Sequence, residues 1–367
     1  MDAPVLHVTG QVLVGPEEVL DEIWVVDGRV SLTAPTGGDV QEVRGYALPG
    51  LVDAHCHVGL EAQGAVDEAR AEEHALAERD AGALLLRDAG SPADTRWVQE
   101  REDLPRLIRA GRHIARTRRY IRNFAWEIEP EDLVAYVRQE ARSGDGWVKL
   151  VGDWIDRETG DLGTCWPVDV LTDAIAAAHE EGARVTAHCF GEQSLVDFAA
   201  AGTDCIEHAT GLVDDTIATF AAQGIAIVPT LVNIDNFPGF AEAGRGKFPT
   251  YADHMMDLYA RRHETVAKAH EAGIPVYVGT DAGGQLPHGL VSQEVQALTQ
   301  AGLTPLEALG AATWSAREWL GRPGIAEGES ADLVVYADDP RQDVRVLADP
   351  AHVILRGHRH ARSGVSG

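Results

Sequence analysis

Between residues 72 and 320 the chain keeps returning to one unit: an amphipathic Ala/Glu-rich segment closed by glycine, then a short β-branched run. It reads ERDAGALLLRDAG at Gly82, RSGDGWVKLVGDW at Gly144 and Gly146, HEEGARVTAHCF at Gly182, FAAAGTDCIEHATG at Gly202, FAAQGIAIVPTLV at Gly224 and HEAGIPVYVGTDAG at Gly273. Glycine stops a helix cheaply, because it takes the left-handed conformation without a Cβ clash. The runs that follow are too short for helices and read as buried parallel strands. The strand leading into His55 and another at 107–115 bring the total to eight. Pro130 and Pro305, each at a first helical position, predict helices over 131–142 and 305–320, the second with a Thr304/Glu307 capping box. Alternating βα units over roughly 270 residues predict an α/β protein whose residues 49–324 form a (βα)8 TIM barrel. An open doubly wound sheet is the alternative, but no G-x-G-x-x-G follows the first strand.

The two ends differ from this pattern. Residues 1–48 and 325–367 alternate and turn, as in VLHVTGQVLVG, IWVVDGRVSL and ADLVVYADDP, with a turn at Asp27-Gly28. Neither has enough apolar surface for a core of its own. They are expected to pair into one small composite β-sandwich domain beside the barrel. The Gly- and Pro-rich segment 233–249 follows the seventh strand, which makes it either a lid over the mouth or a surface loop.

A net charge of −27 argues against nucleic acid and anionic membranes as partners. Four scattered cysteines give neither a disulfide framework nor a thiolate zinc site, and there is no leader-like or membrane-spanning run. The default is a soluble cytoplasmic protein. Lysine is scarce: Lys149, Lys247 and Lys268 are the only three.

Barrel enzymes place their chemistry at the C-terminal ends of strands. The polar residues there are His55, His57, Asp88, Tyr120, Lys149, His188, His208 and Asp281. In His55-Cys56-His57 the imidazoles are two residues apart, so both face the barrel axis and form half of a divalent-metal site, with Cys56 turned to the helices. Lys149 lies in GWVKLVGDW, where a charged ammonium is costly. Either it makes a buried ion pair with Asp153 or Asp281, or its neutral amine takes up CO2 and becomes a carbamate able to bridge two cations. Arginine cannot do the latter. His188 and His208 end consecutive strands in phase with the first pair. Asp281, in VYVGTDAGG, is either a helix cap or a carboxylate that touches metal and accepts a proton. His288, Tyr120, Trp154 and Asn233 are candidate substrate contacts, Asp88 supports the ligands or pairs with Arg87, and Arg119, Arg122 or His288 could hold a substrate carboxylate.

These residues, in this order, resemble the amidohydrolase superfamily. LLLRDAG, WVKL, AHCFG, IEHATG and GTDAG look most like its imidazolonepropionase-like and metal-dependent prolidase group. The resemblance implies two divalent metal ions, zinc being expected. His55, His57 and Asp281 would hold one and His188 and His208 the other, bridged by a carboxylated Lys149. It implies hydrolysis of an amide in a small molecule, such as an N-acyl amino acid, a dipeptide or a cyclic amide. The attacking hydroxide is shared by the cations, and Asp281 serves as base and then acid. Gly191 stands where deaminase members carry Glu, and Arg118-Arg119-Tyr120 where prolidase-like members carry a glycine-histidine element. An ester, lactone or carbamate substrate on the same metals is the alternative, and a non-catalytic barrel scaffold is the third. A homo-oligomer is expected.

Overall fold

The computed structural model describes residues 5–360; residues 1–4 and 361–367 of the expected composite domain lie outside the described residues. The two terminal segments meet in one seven-stranded sheet. Its order is His358–His360, His352–Leu355, Leu333–Tyr336, Val40–Pro49, Val5–Leu13, Val19–Val26, Arg29–Ser31. One connected sheet thus replaces the two layers that a sandwich implies. The segments join where Val40–Pro49 runs antiparallel to Leu333–Tyr336, pairing Tyr46 with Tyr336. The predicted turn is present: Asp27 and Gly28 have φ of 49° and 77° between strands paired at Val26 and Arg29, which suits a tight hairpin. Leu6, Val8, Ile23, Val25, Val43, Leu333, Val335 and Ile354 form the apolar core of this sheet.

The middle of the chain forms an α/β assembly. One sheet runs Trp126–Ile128, Ile114–Arg116, Trp147–Val151, Arg184–Cys189, Cys205–His208, Ala226–Val228, with every pairing parallel. A second runs Ala282–Gly284, Leu51–Glu61, Ala83–Asp88, Arg106–Arg109. The expected single ring of eight is therefore resolved as two sheets, because the strand expected at 107–115 is split between them. Residues 275–278 connect the sheets on the other side: Tyr277 N donates to Ile227 O (3.0 Å) and Ala54 N to Val278 O (2.8 Å). Val52, Ala54, Leu85, Trp147, Cys205 and Val228 pack in a cluster drawn from both sheets. A larger cluster, including Cys56, Val148, Ala187 and Ile206, packs the other strand faces against the helices.

The predicted helices form with two differences. The first begins with a turn at Pro130–Asp132 and continues as Leu133–Ser143. The other has its capping box, Thr304 Oγ1 accepting from Glu307 N and Glu307 Oε2 from Thr304 N, but breaks at Thr313 into Pro305–Ala312 and Trp314–Trp319. The segment 233–249 is not a loop. It is helical at Leu231–Ile234 and Phe237–Arg245, and the long helix Pro249–Glu271 follows. Its glycines are overridden by burial of Ile234, Phe237 and Ala241 against Phe190, Met255 and Leu258. No helix among the described residues is long and apolar enough to cross a membrane.

Candidate metal centre

The strand Leu51–Glu61 does not reach its histidines by simple alternation. Val52 and Ala54 face the cluster between the sheets, so an unbroken strand would turn His55 and His57 toward the helices. A β-bulge intervenes: Asp53 pairs with Leu86 and Cys56 with Asp88, three steps on one strand against two on its neighbour. Such bulges re-aim side chains beside functional sites. The Asp53 carboxylate holds this one, accepting from His55 N (3.0 Å), Thr280 N (3.1 Å) and Thr280 Oγ1 (2.5 Å). Beyond the bulge Cys56 packs with the helix layer, as expected.

His55 and His57 then converge, with their Nε2 atoms 3.2 Å apart. Asp281 Oδ1 lies 3.1 Å from the first and 2.9 Å from the second. His57 Nδ1 donates to Gly90 O at 2.6 Å, which orients the ring and turns Nε2 toward the other ligands. Gly90 N in turn donates to Asp88 Oδ1 (2.9 Å), so Asp88 supports this ligand indirectly and does not pair with Arg87. His55, His57 and Asp281 form the one group among the described residues able to offer three His, Cys or carboxylate atoms to a single ion.

A second imidazole pair stands beside the first. His188 Nδ1 lies 3.0 Å from His208 Nε2, and the His208 and His55 rings are 5.3 Å apart. His208 Nδ1 bonds Thr230 Oγ1 at 2.7 Å. His208, Ala209, Thr230 and Asp281 all have positive φ, at 69°, 53°, 49° and 57°. For non-glycine residues this costs about 1–3 kcal/mol each, and such strain concentrates at functional sites. At His208 it lets two consecutive residues, Glu207 and His208, serve the same centre. Burial holds His188 far below its ordinary range and takes His208 down to about 3, so both are neutral lone-pair donors. Burial pushes the Asp281 carboxyl up, but the positive potential of His55 and the imidazole hydrogen bonds outweigh it and keep it ionised. Asn233 Nδ2 donates to the other oxygen, Oδ2, at 2.7 Å.

Lys149 is buried, and burial draws its pKa below the usual lysine range while Glu207 and Asp281 oppose the shift. The ion pair with Asp153 or Asp281 does not form. Asp153 is taken by Phe190 N, Gly191 N and Ser194 Oγ, and Asp281 by the histidines and Asn233.

Above this centre lies a cavity of about 420 Å³, in the range of small-molecule sites. His57, His188, Asn233 and Asp281 contribute to its lining together with Tyr120 and Trp154, whose rings lie 5.6 Å and 5.7 Å from His188. Phe124, Phe190, Phe240 and Phe248 add an aromatic wall. His288 does not line this cavity. It bonds Glu78 (2.8 Å), stacks on His74 (4.3 Å) and borders a neighbouring cleft, because the residues around Gly283–Leu286 stand between. Arg119 is bound to Asp156 (3.0 Å) and Gly163 O (2.8 Å), and Arg122 is exposed outside the lining. Neither is placed to hold a carboxylate here.

Sequence reasoning missed three residues. Asp53 builds the bulge. Glu207, wholly buried, lies 2.8 Å from His55 Nδ1 and binds Arg87 at 2.7 Å. His113, wholly buried, has neither ring nitrogen hydrogen-bonded, and its ring is 4.9 Å from that of His57. The available signal was a charge inside an apolar strand: LVDAH, CIEH and RLIRAGRHIA.

A family model for the amidohydrolase family matches residues 153–359. The chain belongs to the amidohydrolase family. It is an enzyme of that family with a His55/His57/Asp281 metal-site candidate. It is similar to an uncharacterized protein of Mycobacterium tuberculosis, 58% identical over 353 residues that cover 96% of this chain and 95% of that one. It is also similar to the ochratoxinase of Aspergillus niger, 25% identical over 236 residues covering 61% of this chain and 47% of the relative. Among solved structures, a prolidase complexed with N-methylphosphonate-L-proline superposes with a TM-score of 0.81, 22% identity and coverage of 98% of this chain and 100% of that one. The ochratoxinase structure superposes at 0.80, with 19% identity and coverage of 99% and 97%. The fold therefore matches amidohydrolase structures along the whole chain. The family match begins after Lys149, so it does not cover His55, His57, Tyr120 or Lys149.

Proposed function

We propose that this amidohydrolase cleaves an amide bond of a small molecule at a two-metal centre, His55, His57 and Asp281 holding one cation, His188 and His208 the other, and a carboxylated Lys149 bridging them. The observation that carries the reading is the convergence of two imidazole pairs and one carboxylate at the floor of an aromatic cavity. Neutral imidazole with carboxylate suits divalent transition ions, zinc first among them. The two parallel sheets are taken as halves of a (βα)8 barrel, in which this floor is the C-terminal rim.

Bound cations would polarise the substrate carbonyl and lower the pKa of a water. The chain's own residues do the rest. Asp281, ionised and aimed by Asn233, takes the proton of the attacking water and returns it to the leaving nitrogen. Tyr120, Trp154 and the phenylalanines exclude water and orient the substrate. Gly191, set against the Asp153 carboxylate, offers no side chain to protonate a ring nitrogen, which favours hydrolysis over deamination. The structural neighbour named prolidase supports an amide substrate.

Metal analysis combined with a panel of matched amides and esters tests the proposal. About two equivalents of metal and selective amide cleavage are expected. One equivalent with unmodified Lys149 would remove the bridge. Ester-only turnover would change the bond class, and no metal after metal-supplemented expression would end the reading.

A further inference from the structure

His113 is wholly buried, yet neither of its ring nitrogens has a hydrogen-bond partner among the described residues. An unpaired polar ring in the interior is destabilising, which calls for a partner that arrives with the working site. The surroundings narrow what that partner is. Ile114 pairs with Leu150 across the parallel strands, and both pack with the helix layer. The residues before them, His113 and Lys149, therefore lie on the opposite, inner face, side by side on strands about 4.8 Å apart. The His113 ring stands 4.9 Å from that of His57 and 5.5 Å from that of Tyr120. Its Nδ1 packs on Gly90, where an added Cβ would come within 3.0 Å of it. Both polar groups of Gly90 are taken, N by Asp88 and O by His57, so Nε2 is the atom left to bond. Substrate is not its partner, because His113 does not line the cavity. Nor is a cation held by His55, His57 and Asp281, since His113 is not among the donors that converge there. The neighbouring strand offers Lys149, buried on the same face and able to gain two acceptor oxygens.

We propose that His113 is a positioning residue for Lys149: it donates a hydrogen bond to an oxygen of the Lys149 carbamate and so raises the affinity of this lysine for CO2. This rests on the bridging role of Lys149 proposed above. Carboxylation forms one bond from the neutral amine Nζ to the carbon of CO2, moves one C–O π pair onto oxygen and releases one N–H proton to water. The product carries a negative charge in a place closed to solvent. A donor already fixed beside it stabilises that charge without reorganisation.

Carbon NMR on metal-loaded protein titrated with isotopically labelled bicarbonate reads the carbamate directly. His113→Phe keeps a ring against His57 and Tyr120 but has no donor. It is expected to raise the CO2 needed for half-occupancy about tenfold, with bound metal falling alongside. Saturating bicarbonate should restore both in this variant, which a packing defect would not allow. His113→Gln, which keeps an N–H donor, should lie nearer the wild type. Equal half-occupancy in the wild type and His113→Phe, or a loss that bicarbonate does not rescue, would overturn the role of His113 and leave the bridge standing. A wild type without the carbamate signal would overturn both, while metal content and amide cleavage still judge the rest of the proposed function. Should His113→Phe fail to fold, a crystal structure of the metal-loaded wild type decides. A His113 ring nitrogen within about 3.2 Å of a carbamate oxygen upholds the proposal, and a water or no contact there overturns it.

Discussion

Replacing Glu207 by Gln keeps the side chain's size and removes one charge from a place where nothing else can supply it. Glu207 and Arg87 are both wholly buried and 2.7 Å apart, and the other Glu207 oxygen lies 2.8 Å from His55 Nδ1. In Glu207→Gln the Arg87 guanidinium stays buried without a counter-charge, which costs about 3–5 kcal/mol. Arg87 keeps its bond to Ala54 O and its stacking over Trp147 (4.5 Å), so the lower half of that range is expected. An unfolding entropy of about 2.1 cal/mol/K per residue gives roughly 0.75 kcal/mol/K for this chain, so the melting point should fall by about 4–5 °C. Calorimetry on chelator-treated protein measures this apart from metal binding. Metal affinity should fall separately, by about 10–100-fold, because the charge that polarises His55 is gone. The double variant Glu207→Gln/Arg87→Met separates the two effects. It removes the orphan guanidinium and should recover most of the lost stability, yet metal affinity should stay low. A double variant no more stable than the single one, or a single variant that binds metal normally, would refute the assignment of Glu207 as both the counter-ion of Arg87 and the support of His55.

Asp281→Asn should leave the fold intact and lower turnover by at least about 10²-fold, as expected for a lost acid/base; thermal melting and single-turnover kinetics check both parts. Lys149→Ala and Lys149→Arg should each lower bound metal and abolish activity, read by elemental analysis, since neither side chain can carry a carbamate. His254 is held by Glu192 (3.0 Å) and Asp161 (2.9 Å), which raise its pKa to about 9. A folded pKa above the unfolded one means that its stabilisation is complete below about pH 6.5 and disappears as pH rises through 9. His254→Gln should therefore be about 1–2 kcal/mol less stable at pH 6, after screening of the part-exposed partners, and match the wild type near pH 10 in denaturant titrations.

The parts of the fold that follow from short-range chemistry were legible in the sequence. Gly182, Gly202, Gly224 and Gly273 take φ of 79°, 84°, 70° and 85° as helix stops demand. The Thr304 capping box and the Asp27-Gly28 turn are also as read. Gly144 is an exception, with φ of −87° and the left-handed step passed to Gly146. The helix over Phe237–Arg245 was illegible because its support comes from Phe190, Met255 and Leu258, distant in sequence. Placing His288 at the mouth failed for the same reason: its partner, Glu78, lies 210 positions away.

The site itself shows where periodicity stops being a guide. The i, i+2 rule predicts that His55 and His57 share a face, and they do. It does not predict which face, since the alternation set by Val52 and Ala54 points them outward until the Asp53-held bulge adds a step. Glu207 and His208 break the rule outright, because neighbours on a regular strand point opposite ways and only the positive φ at His208 brings both inward. Asp281 likewise reaches the imidazoles from a left-handed backbone. A metal centre needs donors packed more densely than alternate positions of a strand can supply, so its residues sit where the backbone leaves the strand path. Sequence can register this only as polar residues in apolar runs. By that measure Asp53, His113 and Glu207 carried the same signal as the histidines that were found, and a reading that weighed buried charge as heavily as ligand type would have gathered all of them.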